Sequence, residues 1–198
     1  MGGVTVIGLE RNSAALTARV RGVLDRLADD AAARGVPDRE DIARLPVHVH
    51  PRSGWTVAVA SPTLSPSLHL SQRVASLPED QLAGILAHEV GHLCDVSERR
   101  FGRADVAVRL VLFLSPALPV GLGAGPGAAV AIAALQLTRQ RREYAADAFA
   151  HRMGHGAGLQ AFLTAFAAAT GQSLARTSVR DETHPSAGDR IRRLDGLG

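Results

Sequence analysis

The sequence predicts a predominantly helical α+β fold, and three observations support this prediction. Apolar residues recur every three or four positions over 12–34 and again over 77–98, a spacing typical of amphipathic helices. Residues 46–70 instead hold short alternating stretches, VHVH, WTVAVA and SLHL, separated by Pro, Gly and Ser, which is typical of a few short strands. The length of 198 residues suits one hydrophobic core, so we expect a single domain over 1–198.

The N-terminal part, residues 1–45, is predicted to form a helical extension ahead of the sheet. Its helix ends near Gly35 and Pro37, because glycine and proline interrupt helical hydrogen bonding. Another helix follows the strands, and Ser76 with Glu79 matches the capping-box pattern at its start. The small sheet therefore lies between two helices in the chain.

The most apolar part of the chain is residues 104–138. Its centre is rich in proline and glycine, which favours an apolar hairpin of two helical arms over one long helix. The second arm continues into a polar helix over about 128–153, and an alanine-rich helix near 157–170 follows. A last short helix comes after Ser186, which is placed to be its N-cap.

Composition and charge narrow the function classes. The formal net charge of +3 is small, and the 22 basic residues, all arginine, are not clustered with aromatics, which argues against a nucleic-acid partner. The exclusive use of arginine favours a GC-rich, bacterial source. Cys94 is the only cysteine, which excludes an intrachain disulfide. The start MGGVTVIGLERN does not have the pattern of a signal peptide, so we expect a cytoplasmic location.

The stretch HEVGH, residues 88–92, matches the pattern HExxH. On a helix, His88 and His92 project from one face about one turn apart and can bind Zn²⁺ through imidazole nitrogens. Glu89 lies between them and can act as the general base. Two solvated histidines on a helix would have the same spacing, so the interpretation needs a third ligand further along the chain.

The stretch REYAAD offers that third ligand. Glu143 and Asp147 are four residues apart on a predicted helix and so share a face. Glu143 could complete a His₂Glu zinc site, and Asp147 could hold a ligand imidazole by a hydrogen bond. Charged pairs at this spacing are also ordinary on helix surfaces, where Glu143 could instead pair with the neighbouring arginines 139, 141 and 142.

Three segments, in this order, resemble the HtpX-like zinc metallopeptidases, which are relatives of the CAAX prenyl endopeptidases. They are HEVGH, the EYAAD of residues 143–147 and the THPSAGDRI of residues 183–191. The resemblance covers about residues 66–194. It implies a gluzincin-like fold and a zinc-dependent endopeptidase with one Zn²⁺ per chain.

The resemblance also assigns site residues. It implies that His88, His92 and Glu143 are zinc ligands and that Glu89 is the general base for peptide-bond hydrolysis. It places Asp147 behind the ligands, as the hydrogen-bond partner of an imidazole.

The third segment brings two further catalytic candidates. We expect His184 to donate a hydrogen bond to the carbonyl oxygen of the scissile bond, and Arg190 to orient His184 or to reach the substrate backbone. The implied substrate is a peptide or protein in extended conformation, aligned along an edge strand. The stretch Pro66–Leu70 is predicted to be that edge.

The apolar hairpin has two possible roles. His92 and Glu143 must meet at one metal, so the chain between them leaves and returns on the same side, which excludes a single membrane crossing. Each arm of about 17 residues spans roughly 25 Å, less than the bilayer core of about 30 Å. Arginines flank both ends, which suits a hairpin that enters a membrane surface from the cytoplasmic face. Alternatively, the hairpin packs on the domain or on a dimer partner, and the oligomeric state stays open.

Two other function classes compete with the peptidase. One is a catalytically idle metal-binding fold whose hairpin docks a partner, and Glu89 argues against it because such a fold needs no general base. The other is a membrane-associated helical adaptor without a metal.

A second pair of histidines lies in the predicted sheet. His48 and His50 alternate onto one face of a strand and could bind a second metal ion. The sequence shows no third ligand beside them, so it favours a structural role for the pair.

Overall fold

The computed structural model describes residues 6–36, 39–51, 54–55, 57–60, 66–94, 124–172, 174 and 185–197. Within these residues the elements, in chain order, are α1 (Val6–Ala33), α2 (Arg39–Arg44), β1 (Val47–His50), β2 (Val57–Ala60), β3 (Ser67–Ser71), α3 (Gln72–Ala75), α4 (Glu79–Cys94), α5 (Ala124–Arg152), α6 (Gly156–Thr170) and α7 (Ala187–Asp195). Helices predominate and the strands occupy one short stretch of the chain. The predicted α+β class is confirmed.

Helix α1 is part of the hydrophobic core although it precedes the strands. Its buried face joins apolar side chains from α2 through α7 in one cluster, and the largest side chains of this face are Val20, Val23, Leu24 and Leu27. The guanidinium of Arg19 donates to the carbonyl oxygens of Ala75 and Leu77, at and just after the end of α3. Because each buried aliphatic side chain contributes about 1.5–3 kcal/mol, the N-terminal helix adds substantially to stability.

The three strands form one sheet in the order β1-β3-β2. Strand β1 is parallel to β3, with Val47 opposite Leu68, and β2 is antiparallel to β3, with Val57 opposite Leu70. The prediction that Pro66–Leu70 forms the edge is wrong, because β3 pairs on both sides. An alternating pattern indicates a strand and its two faces, but the strand's place in the sheet depends on pairing with distant residues. The edges of the described sheet are β1 and β2.

The two faces of the sheet have different side chains. Leu68 and Leu70 of β3 are completely buried in the core. The opposite face carries His48 and His50 of β1, which are exposed, and His69 of β3, which is partly exposed. The sheet therefore covers the core with its apolar face and presents histidines on the other.

Helix α4 is largely buried, and α5 and α6 both pack against it. The approach to α6 is close because Gly84 and Gly158 lie at the contact. A Cβ atom on Gly84 would clash with the backbone of Leu159, and one on Gly158 would clash with the carbonyl of Asp80. Two glycines thus let the backbones of α4 and α6 touch.

The start of α4 differs from the prediction. Ser76 does not begin this helix; it ends α3, and its N–H donates to the carbonyl oxygen of Gln72. The first hydrogen bond of α4 runs from the Leu82 N–H to the Pro78 carbonyl oxygen. The capping-box prediction for Ser76 is therefore wrong, because the short helix α3 precedes α4 without a longer loop.

The predicted apolar hairpin is only partly described. Residues 124–138, which belong to its second arm, are continuous with the following polar helix and together form α5. Residues 104–123 lie outside the described residues. In the part of the chain that the structure describes, no helix is both long and apolar enough to cross a membrane.

The last two helices have well-defined ends. Helix α6 ends at Gly171, whose φ of 70° is left-handed and favours glycine. Ser186 caps α7 as predicted, since its Oγ accepts the N–H of Asp189 at 3.1 Å. Helix α7 packs against α6 and α5, and Arg190 in its first turn reaches His88 of α4.

Candidate active site

The histidines of HEVGH lie together on the second half of α4. Because they are four residues apart on one helix, their rings meet edge to face with centroids 4.7 Å apart. The Nε2 atoms of His88 and His92 are 3.1 Å apart. His88 is buried and His92 is partly exposed. Two imidazole nitrogens therefore converge on one point.

A carboxylate from α5 reaches the same point. Glu143 Oε2 lies 3.5 Å from His88 Nε2, and Glu143 Oε1 lies 3.6 Å from His92 Nε2. Helix α5 comes this close because Gly91, inside the motif, has no side chain. A Cβ atom there would lie only 3.0 Å from the Cα of Ala146. The glycine of HEVGH thus allows the third side chain to reach the histidines.

Asp147 and Arg190 lie behind the histidines. Asp147 Oδ1 is 2.8 Å from His88 Nδ1, the ring nitrogen that does not face Glu143. The guanidinium of Arg190 donates to both carboxylate oxygens of Asp147, at 2.6 Å and 2.9 Å, and lies 3.6 Å from Glu143 Oε2. A bidentate pair of this kind fixes both partners in orientation. Arg190 also lies beside the His88 ring, with a guanidinium nitrogen 3.1 Å from Nδ1, so it contacts Asp147, Glu143 and His88.

The protonation states of His88 and Asp147 depend on the charged groups around them. Burial and the Arg190 charge oppose protonation of His88, but hydrogen bonds to Asp147 and Glu143 outweigh them and raise its pKa to about 9. Burial alone would raise the pKa of Asp147, but hydrogen bonds from His88 and Arg190 lower it. The Asp147 carboxylate is thus ionised and holds the His88 ring from behind.

The residues fit a zinc ion. The ligand atoms of His88, His92 and Glu143 all lie within 4.8 Å of one another. Two nitrogens bound to one tetrahedral zinc at about 2.0–2.1 Å are roughly 3.3 Å apart, close to the observed 3.1 Å between the Nε2 atoms. Two imidazoles and one glutamate are also the ligand set of known catalytic zinc sites.

Glu89 and Cys94 also lie on α4. Glu89 is buried on α4 beside the ligands, as its place in the motif requires. His184 lies outside the described residues. Cys94 is partly buried at the end of α4 and packs against the core as a small hydrophobic residue.

A helix with two histidines and a glutamate, a carboxylate from a second helix and a small sheet are the features of a gluzincin-like fold. The model of peptidase family M48 matches residues 54–197. The chain therefore belongs to peptidase family M48, a family of zinc metallopeptidases, and the resemblance to the HtpX-like enzymes is confirmed.

The chain is also similar to a solved structure, the crystal structure of Ste24p from S. mikatae. The TM-score is 0.64 at 16% identity, and the match covers 84% of this chain and 49% of that chain. At this identity the likeness concerns the fold, and the chain spans about half the length of that structure. No match was found among curated proteins.

Sequence patterns leave two features of the site unpredicted. The close helix contact at Gly91 is one of them, although a glycine inside HEVGH is a signal that could have suggested it. The other is the pairing of Arg190 with Asp147, which joins residues 43 positions apart, so no local spacing indicates it.

Proposed function

We propose that this domain is a zinc-dependent endopeptidase in which Glu89 is the general base. The observation that carries the proposal is the convergence of His88, His92 and Glu143 beside a buried glutamate on the same helix as the two histidines. Bound there, one zinc ion would act as a Lewis acid on the scissile carbonyl and on the attacking water.

The residues of the chain divide the remaining work. Glu89 accepts a proton from the attacking water and passes it to the leaving amine. Asp147, held by Arg190, fixes the His88 ring through Nδ1 so that Nε2 faces the other ligands. Arg190 in this arrangement is a positioning residue, because it holds Asp147 and lies against His88 and Glu143.

His184 is the proposed donor to the carbonyl oxygen of the scissile bond. Its support comes from the sequence, where Pro185 and the Ser186 cap follow it and hold the start of α7. A donor of this kind acts mainly in the transition state, and its loss typically lowers kcat about 10² to 10³-fold. His184→Ala should therefore retain zinc and lower kcat far more than it changes KM.

The proposed substrate is a peptide in extended conformation that pairs with β2. This strand is an edge of the described sheet and contacts α4, which carries the catalytic glutamate and two of the ligands. Pairing with a sheet edge selects for an extended backbone more than for particular side chains. Peptides N-methylated at alternate backbone nitrogens should be cleaved less well than their parents.

A glutamate pair tests the general base. Glu89→Gln should retain zinc, measured by atomic absorption, and lower kcat on a cleaved peptide by about 10² to 10⁴-fold. Glu40→Gln is the matched control, because Glu40 is exposed on α2 and pairs with the neighbouring Arg44. Undiminished hydrolysis by Glu89→Gln would refute the proposed mechanism.

We also propose that the enzyme works at the cytoplasmic face of a membrane. The apolar segment 104–138 and the arginines before and after it support this location. The intact chain should float with liposomes that contain anionic lipid, and replacing residues 110–135 with a short Gly/Ser loop should abolish flotation while sparing zinc. A chain that stays with the soluble fraction at low salt would contradict the proposal.

A further inference from the structure

A second cluster of histidines lies on the outer face of the sheet. His48 and His50 are two residues apart on β1, and His69 is the register partner of His48 on β3. The His69 ring stacks on His48, with centroids 4.8 Å apart, and lies parallel to the His50 ring, with centroids 5.2 Å apart. The structure thus supplies the third histidine that the sequence did not place beside the pair.

We propose that His48, His50 and His69 form a second metal site that takes a divalent transition-metal ion such as Zn²⁺ or Cu²⁺. Alternate residues of one strand share a face, and a residue on the next strand lies about 5 Å away, so three imidazoles at these positions can surround one ion. Three histidines are an established ligand set for zinc.

The pair His50 and His69 is already close to the geometry of ligands. His50 Nε2 and His69 Nδ1 face each other at 2.8 Å in a hydrogen bond. Two nitrogens on one tetrahedral zinc are about 3.3 Å apart, so the two rings need to separate by only about half an ångström. The metal ion replaces the proton between them, which moves to the other nitrogen of the ring that carried it.

Ser67 holds the far side of the His69 ring. Its Oγ lies 3.0 Å from His69 Nε2, the nitrogen that does not face His50. When His69 binds through Nδ1, its Nε2–H can donate to Ser67, which is the kind of outer hydrogen bond that ligand histidines make in metal sites. Asp147 has the same relation to His88 in the active site.

His48 completes the set by a change of side-chain rotamer. Its ring is stacked on His69 at an interplanar angle of 22°, so rotation about its side-chain bonds is needed to direct a nitrogen at the shared ion. His48 and His50 are exposed, so this rotation displaces no packed neighbour. Because the face is exposed and neutral ligands hold the ion, we expect weaker binding than at the active site.

Metal titration of the tag-free chain tests the proposal. Zn²⁺ or Cu²⁺ alone, added to the chain with its active site already loaded, should bind as one further equivalent in calorimetry. Bound Cu²⁺ should show nitrogen hyperfine coupling in its electron paramagnetic resonance spectrum, and Cu²⁺ should bind more tightly than Zn²⁺. His48→Asn/His50→Asn/His69→Asn should lose this equivalent, and His151→Asn on α5 is the matched control.

The proposal is overturned if the wild-type chain binds no further equivalent, or if the triple variant binds it as the wild type does. Circular dichroism melting establishes that the triple variant is folded. His88→Ala removes an active-site ligand, but the sheet of this variant should still bind metal. The test of the sheet site therefore does not depend on whether the proposed peptidase mechanism is correct.

Discussion

The chain builds two histidine clusters on two kinds of secondary structure. On α4, His88 and His92 meet through the four-residue spacing of a helix and are closed in by Glu143 and Asp147. On the sheet, three histidines meet through strand alternation and register. Distances between ring nitrogens are similar, at 3.1 Å on the helix and 2.8 Å on the sheet.

The surroundings of the two clusters differ more than their geometry. In the helix cluster His88, Glu143 and Asp147 are buried beside the partly buried Arg190, whereas the sheet cluster is open to solvent and its hydrogen bonds involve other histidines and Ser67. Both scaffolds therefore bring imidazole nitrogens together, but only the helix cluster combines this geometry with charged side chains that hold a ring in position.

Removing Arg190, the largely buried arginine of the helix cluster, should have the largest effect on stability. Arg190→Ala leaves Asp147 without its bidentate partner, and breaking a buried pair typically costs about 3–5 kcal/mol. Arg192→Ala, two residues further along the same helix, removes an exposed pair with Asp189 and should cost less than about 1 kcal/mol. Urea unfolding measures both, and equal losses would contradict the distinction.

The folding stability of the metal-free chain should also depend on pH in different ways through the two histidine clusters. The pKa of His88 is about 9 when folded and 6.5 in the reference state, so its protonation stabilises the fold fully below pH 6.5. That contribution is lost as the pH rises from about 6.5 to 9, at up to about 1.4 kcal/mol per pH unit. Burial and Arg190 oppose the raised pKa, and the carboxylates of Asp147 and Glu143 produce it.

The contribution of the sheet cluster to stability should change with pH in the opposite direction. Burial and the neighbouring His48 and His50 lower the pKa of His69, so the folded chain binds this proton less readily than the unfolded chain. Its contribution is present above pH 6.5 and is lost as the pH falls below that value. Urea unfolding in the presence of a chelator, from about pH 5 to 9, measures both pH dependences. His88→Gln should remove the loss of stability at high pH, and His69→Asn should remove the loss of stability at low pH.

Asp147 and Ser67, which contact the far nitrogens of His88 and His69, should contribute differently to metal affinity. Asp147→Asn removes a charged acceptor from His88 and should weaken active-site zinc affinity by about 10 to 100-fold. Ser67→Ala removes a neutral acceptor from His69 and should weaken the sheet site less. Competition with a zinc-binding dye measures both affinities, and a larger effect of Ser67→Ala would reverse the comparison.

The smallest expected effect comes from the glycine inside the motif. Gly91→Ala adds a Cβ atom 3.0 Å from the Cα of Ala146, so α5 must shift by a few tenths of an ångström. We expect a loss of about 1 kcal/mol in stability and a modest loss of zinc affinity, because Glu143 moves with α5. Thermal melting and dye competition measure the two losses. Gly22→Ala on α1, whose added Cβ would approach only an arginine end at 3.9 Å, is the control.

Local patterns predict more of the helix cluster than of the sheet cluster. The spacing of HEVGH and of Glu143 with Asp147 determines which side chains share a helix face, and Ser186 marks the start of α7 by its own hydrogen bond. The ligand set can therefore be assembled from short segments of sequence, each of which forms its local structure independently of strand pairing.

Long-range pairing explains what the sequence does not predict. Alternation does not distinguish an edge strand from a central one, so the edge prediction for Pro66–Leu70 fails where β3 has partners on both sides. For the same reason no local pattern connects His69 with His48, from which it is 21 residues distant in the chain. Strand order, unlike strand identity, is decided by residues far apart in sequence.

The position of Trp55 gives the molecule a built-in optical reporter. It is the only tryptophan in the chain, it stands two residues before β2, and its ring packs edge-on against Phe162 and Phe166 with the Arg73 guanidinium above it. Its fluorescence therefore originates at one place, beside the strand edge proposed to hold the peptide. Emission from an unlabelled sample should then follow occupancy of that edge in real time, even for peptides that are bound without being cleaved.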